Sequence, residues 1–334
     1  MSLPNGGVRC LTGDDVAGAR SDGDDRRVRV WGVDWVQRVL GVRRYSRNGE
    51  RAPHKPLLLL YALGRFQREG PAALEFSAVE EELRWLLREF GPPRATSPGY
   101  PFHHLTNDDH LWVVETAGGG ASPGPDVGPL RARHAKGRLH PDLTAALATD
   151  SVLLPQLARV LLDANFAPSL HADICQRIGL DLEDAQLPAR TRTELGHRDP
   201  AFRVEVLQAY EFCCAFCGYD GWLDGVGVGL DAAHVRWRTY GGPDQLGNGI
   251  CLCALHHRLF DRGVVGLNND RTITVSRKYI ARAATSHSMV LQLAGKPARE
   301  PQAGLIPVEP QHIQWHTSQV FRPPARTAQP PPTP

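Results

Sequence analysis

The sequence predicts an α+β protein in two parts. A mainly helical N-terminal domain with a short β element comes first. A small strand–loop–strand–helix module pinned by a cysteine cluster follows. Three observations carry this. Apolar residues repeat at helical spacing through the first half. Of the seven cysteines, five fall between 213 and 253. Gly (33) and Pro (27) are frequent, which favours long loops over a helical bundle.

The 334 residues suit two domains of ordinary size. With 42% hydrophobic residues, either could bury a core. Net charge is only +2, from 38 Lys+Arg against 36 Asp+Glu. A uniformly basic nucleic-acid binder is excluded, and any such site must be local. The opening MSLPNGGVRC lacks the apolar stretch of a signal peptide. The most apolar run, Pro56 to Leu63, is far short of the roughly 20 residues of a membrane span. The expectation is a cytoplasmic protein with no membrane partner.

Residues 1–27 are rich in Gly, Asp and Arg and predict a flexible N-terminus. Order begins within 28–44. Leu59, Leu63 and Phe66 predict a helix over Lys55 to Glu69; Val79, Leu83, Leu86 and Leu87 predict another over Phe76 to Phe90. A turn-rich stretch containing Tyr100-Pro101 leads to a strand at His110 to Glu115, then a loop over Ala117 to Gly128. Further helices are predicted at His140 to Thr149, Pro155 to Asn165 and Leu170 to Ile178. The first domain spans 28–185, and the aperiodic polar stretch at 186–198 reads as a linker. Asp199-Pro200 reads as an N-cap and N1 proline, opening a helix with Phe202, Val206, Leu207 and Tyr210. Strands are predicted at Leu230 to Trp237 and Ile250 to Leu252, and a helix at His256 to Phe260. The second domain spans 199–311, and the Pro-rich tail at 312–334 is expected to be disordered.

The cysteines carry the first chemical signal. Cys214-x2-Cys217 and Cys253-x2-His256 together make a Cys3His set suited to tetrahedral Zn2+ in a structural role. A redox dithiol or unliganded buried thiols are the other readings. Redox C-x-x-C pairs belong with a βαβ pattern, whereas this pair follows a helix and precedes a Gly-rich loop. Cys213 and Cys251 are left over, to pack as small apolar residues.

Around the two knuckles lie His234 on a strand, Asn248 before Gly249, and His257 on a helix. This layout, with the elements AAH, GGP-x4-NG and LC-x2-HH-x2-FD-x-G, resembles an HNH (ββα-metal) endonuclease with a zinc staple. Phosphodiester hydrolysis needs an activated water and a cation for the developing charge. His234 suits the base, because imidazole titrates near neutral pH. His257 suits a divalent ion, Mg2+ or Mn2+. Asn248 can orient the His234 imidazole or the loop. Asp261, one helical turn after His257, and Asp231, on the strand face of Ala233, are further candidate ligands. Many HNH sites carry an acidic residue or His where this chain has Ala233.

The first domain resembles the sulfur-binding domain of type IV restriction endonucleases that recognise phosphorothioated DNA. The resemblance rests on Ala52-Pro53-His54-Lys55-Pro56 with the leucines after it, on Tyr100-Pro101-Phe102-His103-His104-Leu105, and on Asn165 to Leu170 and Arg198 to Arg203. It implies a double-stranded DNA partner carrying phosphorothioate, with a homodimer as one candidate assembly. Sulfur in place of a phosphate oxygen is larger and less well hydrated, so apolar surface can gain by burying it. The resemblance implies Pro101 as that wall with Tyr100 at its flank and His104 beside it. It implies phosphate contacts from His54, Lys55 and a downstream arginine, Arg131 or Arg133. Two other functions fit parts of the pattern: an HNH nuclease aimed at methylated or unmodified DNA, and a non-catalytic zinc-stapled DNA-binding protein.

Overall fold

Leu57 to Leu60 place leucines on every face of one helix, and a helix that is apolar all round must sit inside. The computed structural model describes residues 34–42, 50–108, 110–182 and 199–327. In it, α2 (His54–Glu69) buries His54 and every residue from Pro56 through Gly64. Around it lie α1 (Trp35–Leu40), α3 (Phe76–Phe90), α4 (Gly99–His104), α5 (Val127–Ala132), α6 (Pro141–Thr149), α7 (Leu153–Asn165) and α8 (His171–Ile178). Close approach of α2 to α8 needs Gly64, where a Cβ would stand 2.6 Å from the Ile178 carbonyl. A three-stranded antiparallel sheet, in the order β1 (Leu74–Glu75), β3 (Lys136–Leu139), β2 (Trp112–Glu115), flanks the helices. The expected α+β class, mainly helical first, is the one observed.

The second half begins with α9 (Pro200–Ala209), capped as expected by the Asp199 side chain on the Ala201 N–H at 2.9 Å. A hairpin of β4 (Trp222–Leu223) and β5 (Val226–Gly227) follows. Then β6 (Leu230–His234) pairs antiparallel with β7 (Gly249–Cys253), and α10 (Ala254–Asp261) packs on both. Phe202 and Val206 of α9 press so closely on β7 that a Cβ at Gly249 would lie 2.4 Å from Val206. A second hairpin, β8 (Val265–Leu267) with β9 (Ile273–Val275), and α11 (Ala284–Met289) complete the module.

Three expectations change, and several strands come without a sequence signal. Tyr100-Pro101 lies in the short helix α4 rather than in a loop. The strand expected to reach Trp237 ends at His234, and Arg238–Tyr240 is a 3-10 turn. Strands β3, β4, β5, β8 and β9 are two to four residues long, too short for a period-2 signal to stand out. The tail is ordered well beyond 312: α12 (Pro310–Gln319) buries Ile313, Trp315 and His316, and Val320 and Phe321 are buried after it. Its average composition hid an apolar stripe. The expected flexible N-terminus at 1–27 and linker at 186–198 lie outside the described residues.

Trp35–Pro334 forms a single unit, so the two expected domains are docked. At the seam, Arg51 is 2% exposed. Its guanidinium donates to Gln319 O (2.9 Å) and Phe90 O (2.6 Å) and lies 4.1 Å over the Trp237 ring. Burial pushes its pKa down to about 10, against the opposing pull of Tyr240. Arg258 and Arg262 of the second half both pair with Asp173 of α8, at 3.0 and 3.2 Å. Among the described residues no single helix is long and apolar enough to cross a membrane. The pair α6 and α7 qualifies only together, across a 116° bend.

Candidate functional site

The register Asp231↔Leu252 and His234↔Gly249 fixes where the strand residues emerge. His234, at the end of β6, stacks on Phe202 at 4.2 Å and points Nε2 at Asp244 Oδ1, 2.6 Å away. Asp244 is held below the usual carboxylate range: burial opposes ionisation, but the Asp199 N–H and His234 outweigh it. This carboxylate was not singled out in the sequence. Its signal was available, as the one acidic residue in the loop between His234 and Asn248.

The Asn248 side chain hydrogen-bonds the loop backbone. It is fully buried and staples the loop. Its Oδ1 accepts from the Arg236 N–H (2.8 Å), and its Nδ2 donates to Arg236 O and Pro243 O (both 3.0 Å). The loop closes so tightly that a Cβ at Gly242 would fall 1.8 Å from Arg236 O and 2.8 Å from Asn248 Nδ2, which explains the glycine there.

On α10, His257 stands between two carboxylates. Its Nδ1 is 3.3 Å from Asp231 Oδ2 and its Nε2 is 3.3 Å from Asp261 Oδ2. Burial disfavours the imidazolium, but Asp261 and Asp231 outweigh it and push the pKa up to about 10. The pocket therefore favours a cation on or beside this ring. The two acids differ. Asp231 is half exposed, whereas Asp261 is 4% exposed and committed. Asp261 accepts from Trp237 Nε1 (2.9 Å) and Ser169 Oγ (2.5 Å).

Cys214, Cys217, Cys253 and His256 converge, with their ligand atoms all within 4.8 Å of one another. Zinc–sulfur bonds of about 2.3 Å at tetrahedral angles imply sulfur pairs roughly 3.8 Å apart, and slightly less for sulfur–nitrogen. Cys217 and Cys253 sulfurs are 3.9 Å apart, and His256 Nδ1 is 3.6 Å from Cys214 and 3.2 Å from Cys253. His256 turns Nε2 to the Met289 carbonyl at 3.0 Å, which leaves Nδ1 as the ligand nitrogen. The set fits zinc. Cys251 is fully buried, its thiol pushed up to about 12 by burial, and Cys213 is partly buried. A second group, His110, His140 and Asp142, is more exposed, and His140 Nδ1 already accepts the Asp142 N–H as a helix cap.

In the first half, a cavity of about 530 Å3 opens at the N-terminus of α2. Ala52, His54, Lys55, Tyr100 and His104 line it, with Arg94, Ala95, Thr96, Ser97 and Asn107. Burial, helped by Arg94 and Arg51, pushes the His54 pKa down to about 4, so this ring is neutral near pH 7. It bonds Thr96 Oγ1 at 3.1 Å, and the Tyr100 and His104 rings meet at 4.4 Å. Lys55 is paired with buried Asp108 at 2.5 Å. Pro101 is buried and is not among the lining residues. Nor are the two downstream arginines: Arg131 forks onto Glu80 at 2.6 and 2.7 Å, and Arg133 is exposed past the end of α5. The cavity's arginine is Arg94, which the sequence reading missed. It is held by Glu50 and by the Arg51 carbonyl.

A helical reading domain docked on a strand–strand–helix nuclease module is the class these sites define. Residues 33–183 match the family described as the ScoMcrA-like DNA sulfur-binding domain, and residues 214–268 match the HNH endonuclease family. The chain therefore joins a DNA sulfur-binding domain to an HNH endonuclease domain. Similar solved structures include the sulfur-binding domain of ScoMcrA complexed with phosphorothioated DNA, at 27% identity and TM-score 0.38, covering 44% of this chain and 95% of that one. The type IV phosphorothioation-dependent restriction endonuclease ScoMcrA matches at 24% identity and TM-score 0.34, covering 42% of this chain and 28% of that one. The modification-dependent TagI restriction endonuclease matches at 22% identity and TM-score 0.29, covering 42% and 41%. This chain thus spans under half of those two longer proteins. No curated protein matches it.

Proposed function

We propose that this protein is a modification-dependent restriction endonuclease that reads phosphorothioate in double-stranded DNA and hydrolyses nearby phosphodiester bonds. The observation that carries this is the pairing, in one docked unit, of a polar-and-apolar cavity in the sulfur-binding domain with an HNH endonuclease module in which His234 pairs with Asp244 and His257 with Asp231.

In the cavity, Ala52 and the Tyr100 and His104 rings offer the apolar surface that sulfur gains by touching. The α2 N-terminus, neutral His54, Lys55 and Arg94 address the remaining phosphate oxygens. Pro101 follows Tyr100 in α4 and is buried off the cavity lining, so its part is in the packing of α4 rather than in contact with sulfur. Arg131 and Arg133 lie away from the cavity and serve, at most, the flanking DNA backbone.

In the nuclease, His234 is the general base. With its Nε2–H donated to Asp244, the proton-accepting lone pair is on Nδ1, so Asp244 selects the tautomer. Asn248 holds the loop that carries Asp244. His257 and half-exposed Asp231 present an imidazole and a carboxylate side by side. That pair suits a divalent ion that keeps most of its sphere for water and phosphate. Such an ion, Mg2+ or Mn2+, supplies charge stabilisation at the scissile phosphate and leaving oxygen. Asp261 orients His257 and does not serve as a ligand. Zn2+ is structural, on Cys214, Cys217, Cys253 and His256. Cellular DNA as substrate and a thiol set that must stay reduced assign the protein to the cytoplasm.

Matched duplexes with and without one phosphorothioate, in each stereoisomer, test this reading. Burying one small apolar surface should favour the sulfur form by about 10–200-fold. Cleavage with Mn2+ should follow binding. Equal binding and cutting of all duplexes would overturn the sulfur reading.

A further inference from the structure

The nuclease site is not built from the nuclease domain alone. The Asp261 carboxylate, buried beneath His257, faces three donors. Trp237 Nε1 and His257 Nε2 come from the second half. The third, Ser169 Oγ, comes from the 3-10 turn Pro168–Leu170 of the sulfur-binding domain, 92 residues earlier in the chain. Ser169 and His257 share one oxygen, Oδ2.

We propose that Ser169 is a positioning residue for His257, acting through Asp261, so that the sulfur-binding domain completes the nuclease's metal-holding site. A carboxylate with low exposure keeps one orientation only if both oxygens have fixed donors. Trp237 fixes Oδ1, and Ser169 fixes Oδ2. Without the hydroxyl, Oδ2 has only the His257 ring itself, and the group that should orient the ring becomes free to turn with it. Nδ1 then loses its direction toward Asp231. The seam makes the arrangement rigid rather than incidental. Arg51 clamps Trp237 by its ring face, Tyr240 Oη donates to Asn165 O at 3.3 Å, and Asp173 grips Arg258 and Arg262. These contacts flank the Pro168–Leu170 turn and seat it on α10.

This inference rests on His257 as the metal-holding residue, so the experiment separates the two. Mn2+ is titrated into the full-length, zinc-loaded chain and followed by the free-ion resonance signal, alongside cleavage of a phosphorothioated duplex. Removing a supporting bond behind a metal ligand costs about 10–100-fold in metal affinity or activity. Ser169→Ala should weaken Mn2+ binding by about tenfold and lower kcat, with KM for DNA unchanged. Ser169→Thr, which keeps the hydroxyl, should restore both. His257→Ala is the control. If it weakens Mn2+ while Ser169→Ala leaves Mn2+ and kcat as in the wild type, the positioning role is overturned and the metal reading stands. If the Thr variant is as impaired as the Ala variant, the turn's role is steric and the proposal fails. If His257→Ala binds Mn2+ normally, the metal reading itself fails.

Discussion

Replacing Asn248 by alanine should open the loop that presents Asp244 to His234. Three hydrogen bonds are lost, one to the Arg236 N–H and two to the carbonyls of Arg236 and Pro243. At about 1 kcal/mol each, their net contribution is about 3 kcal/mol, and more where the orphaned backbone groups stay buried. Backbone bonds Val235 N–H to Asn248 O and Gly242 N–H to Trp237 O remain, so the loop loosens rather than vanishes. A 3 kcal/mol change shifts a closed-to-open ratio by roughly 150-fold, which sets the scale of the loss in kcat. Asn248→Asp sharpens the test. It keeps the acceptor for Arg236 N–H but turns an oxygen toward the two carbonyls, so it should be as damaging as alanine despite its shape. Urea unfolding and single-turnover cleavage, measured on both variants, give the answer. A variant with wild-type unfolding and abolished cleavage would refute the staple and place Asn248 at the reacting phosphate.

His234→Ala should abolish cleavage and leave binding of phosphorothioated duplex within about twofold, since a base acts only in the chemical step; Asp244→Asn should lower kcat while binding persists, and near-normal cutting by either would remove that residue from the mechanism. Metal analysis should find one zinc per chain, and Cys217→Ser should lose it and unfold the second domain, because binding energy at such a site is folding energy; a folded, zinc-free protein would refute the staple. Acid should destabilise the chain through His316, stacked on Phe260 at 3.8 Å, whose pKa burial pushes down to about 4 from 6.5. The unfolded chain takes up that proton first, so stability is full above pH 6.5 and falls toward pH 4 by about 3 kcal/mol. His316→Gln should flatten Tm against pH in this window, apart from the slope due to His54; an unchanged acid slope would reject the assignment.

The sequence by itself determined the parts whose chemistry is local. Cys214-x2-Cys217 and Cys253-x2-His256 are short spacings, and knuckle geometry follows from the spacing whatever surrounds it. His234, Asn248 and His257 were legible because a strand, a tight loop and a helix follow one another directly, so chain order nearly fixes their places. Helices α2 and α3 were legible because their apolar residues repeat over four turns. The tertiary structure decided what depends on distant partners. Nothing near Asp261 in sequence says that its oxygens will meet Ser169 and Trp237, so a helix-face rule offers it as a candidate metal ligand, while packing buries it among those donors. Arg94 and Arg131 look alike in the sequence, yet one lines the cavity and the other is spent on Glu80. The tail's composition suggested disorder, and only the groove that receives Ile313 and Trp315 turns it into a helix. A side chain's chemistry is set by its own atoms, but its role is set by which donors and charges surround it, and those are chosen by contacts between residues far apart in the chain.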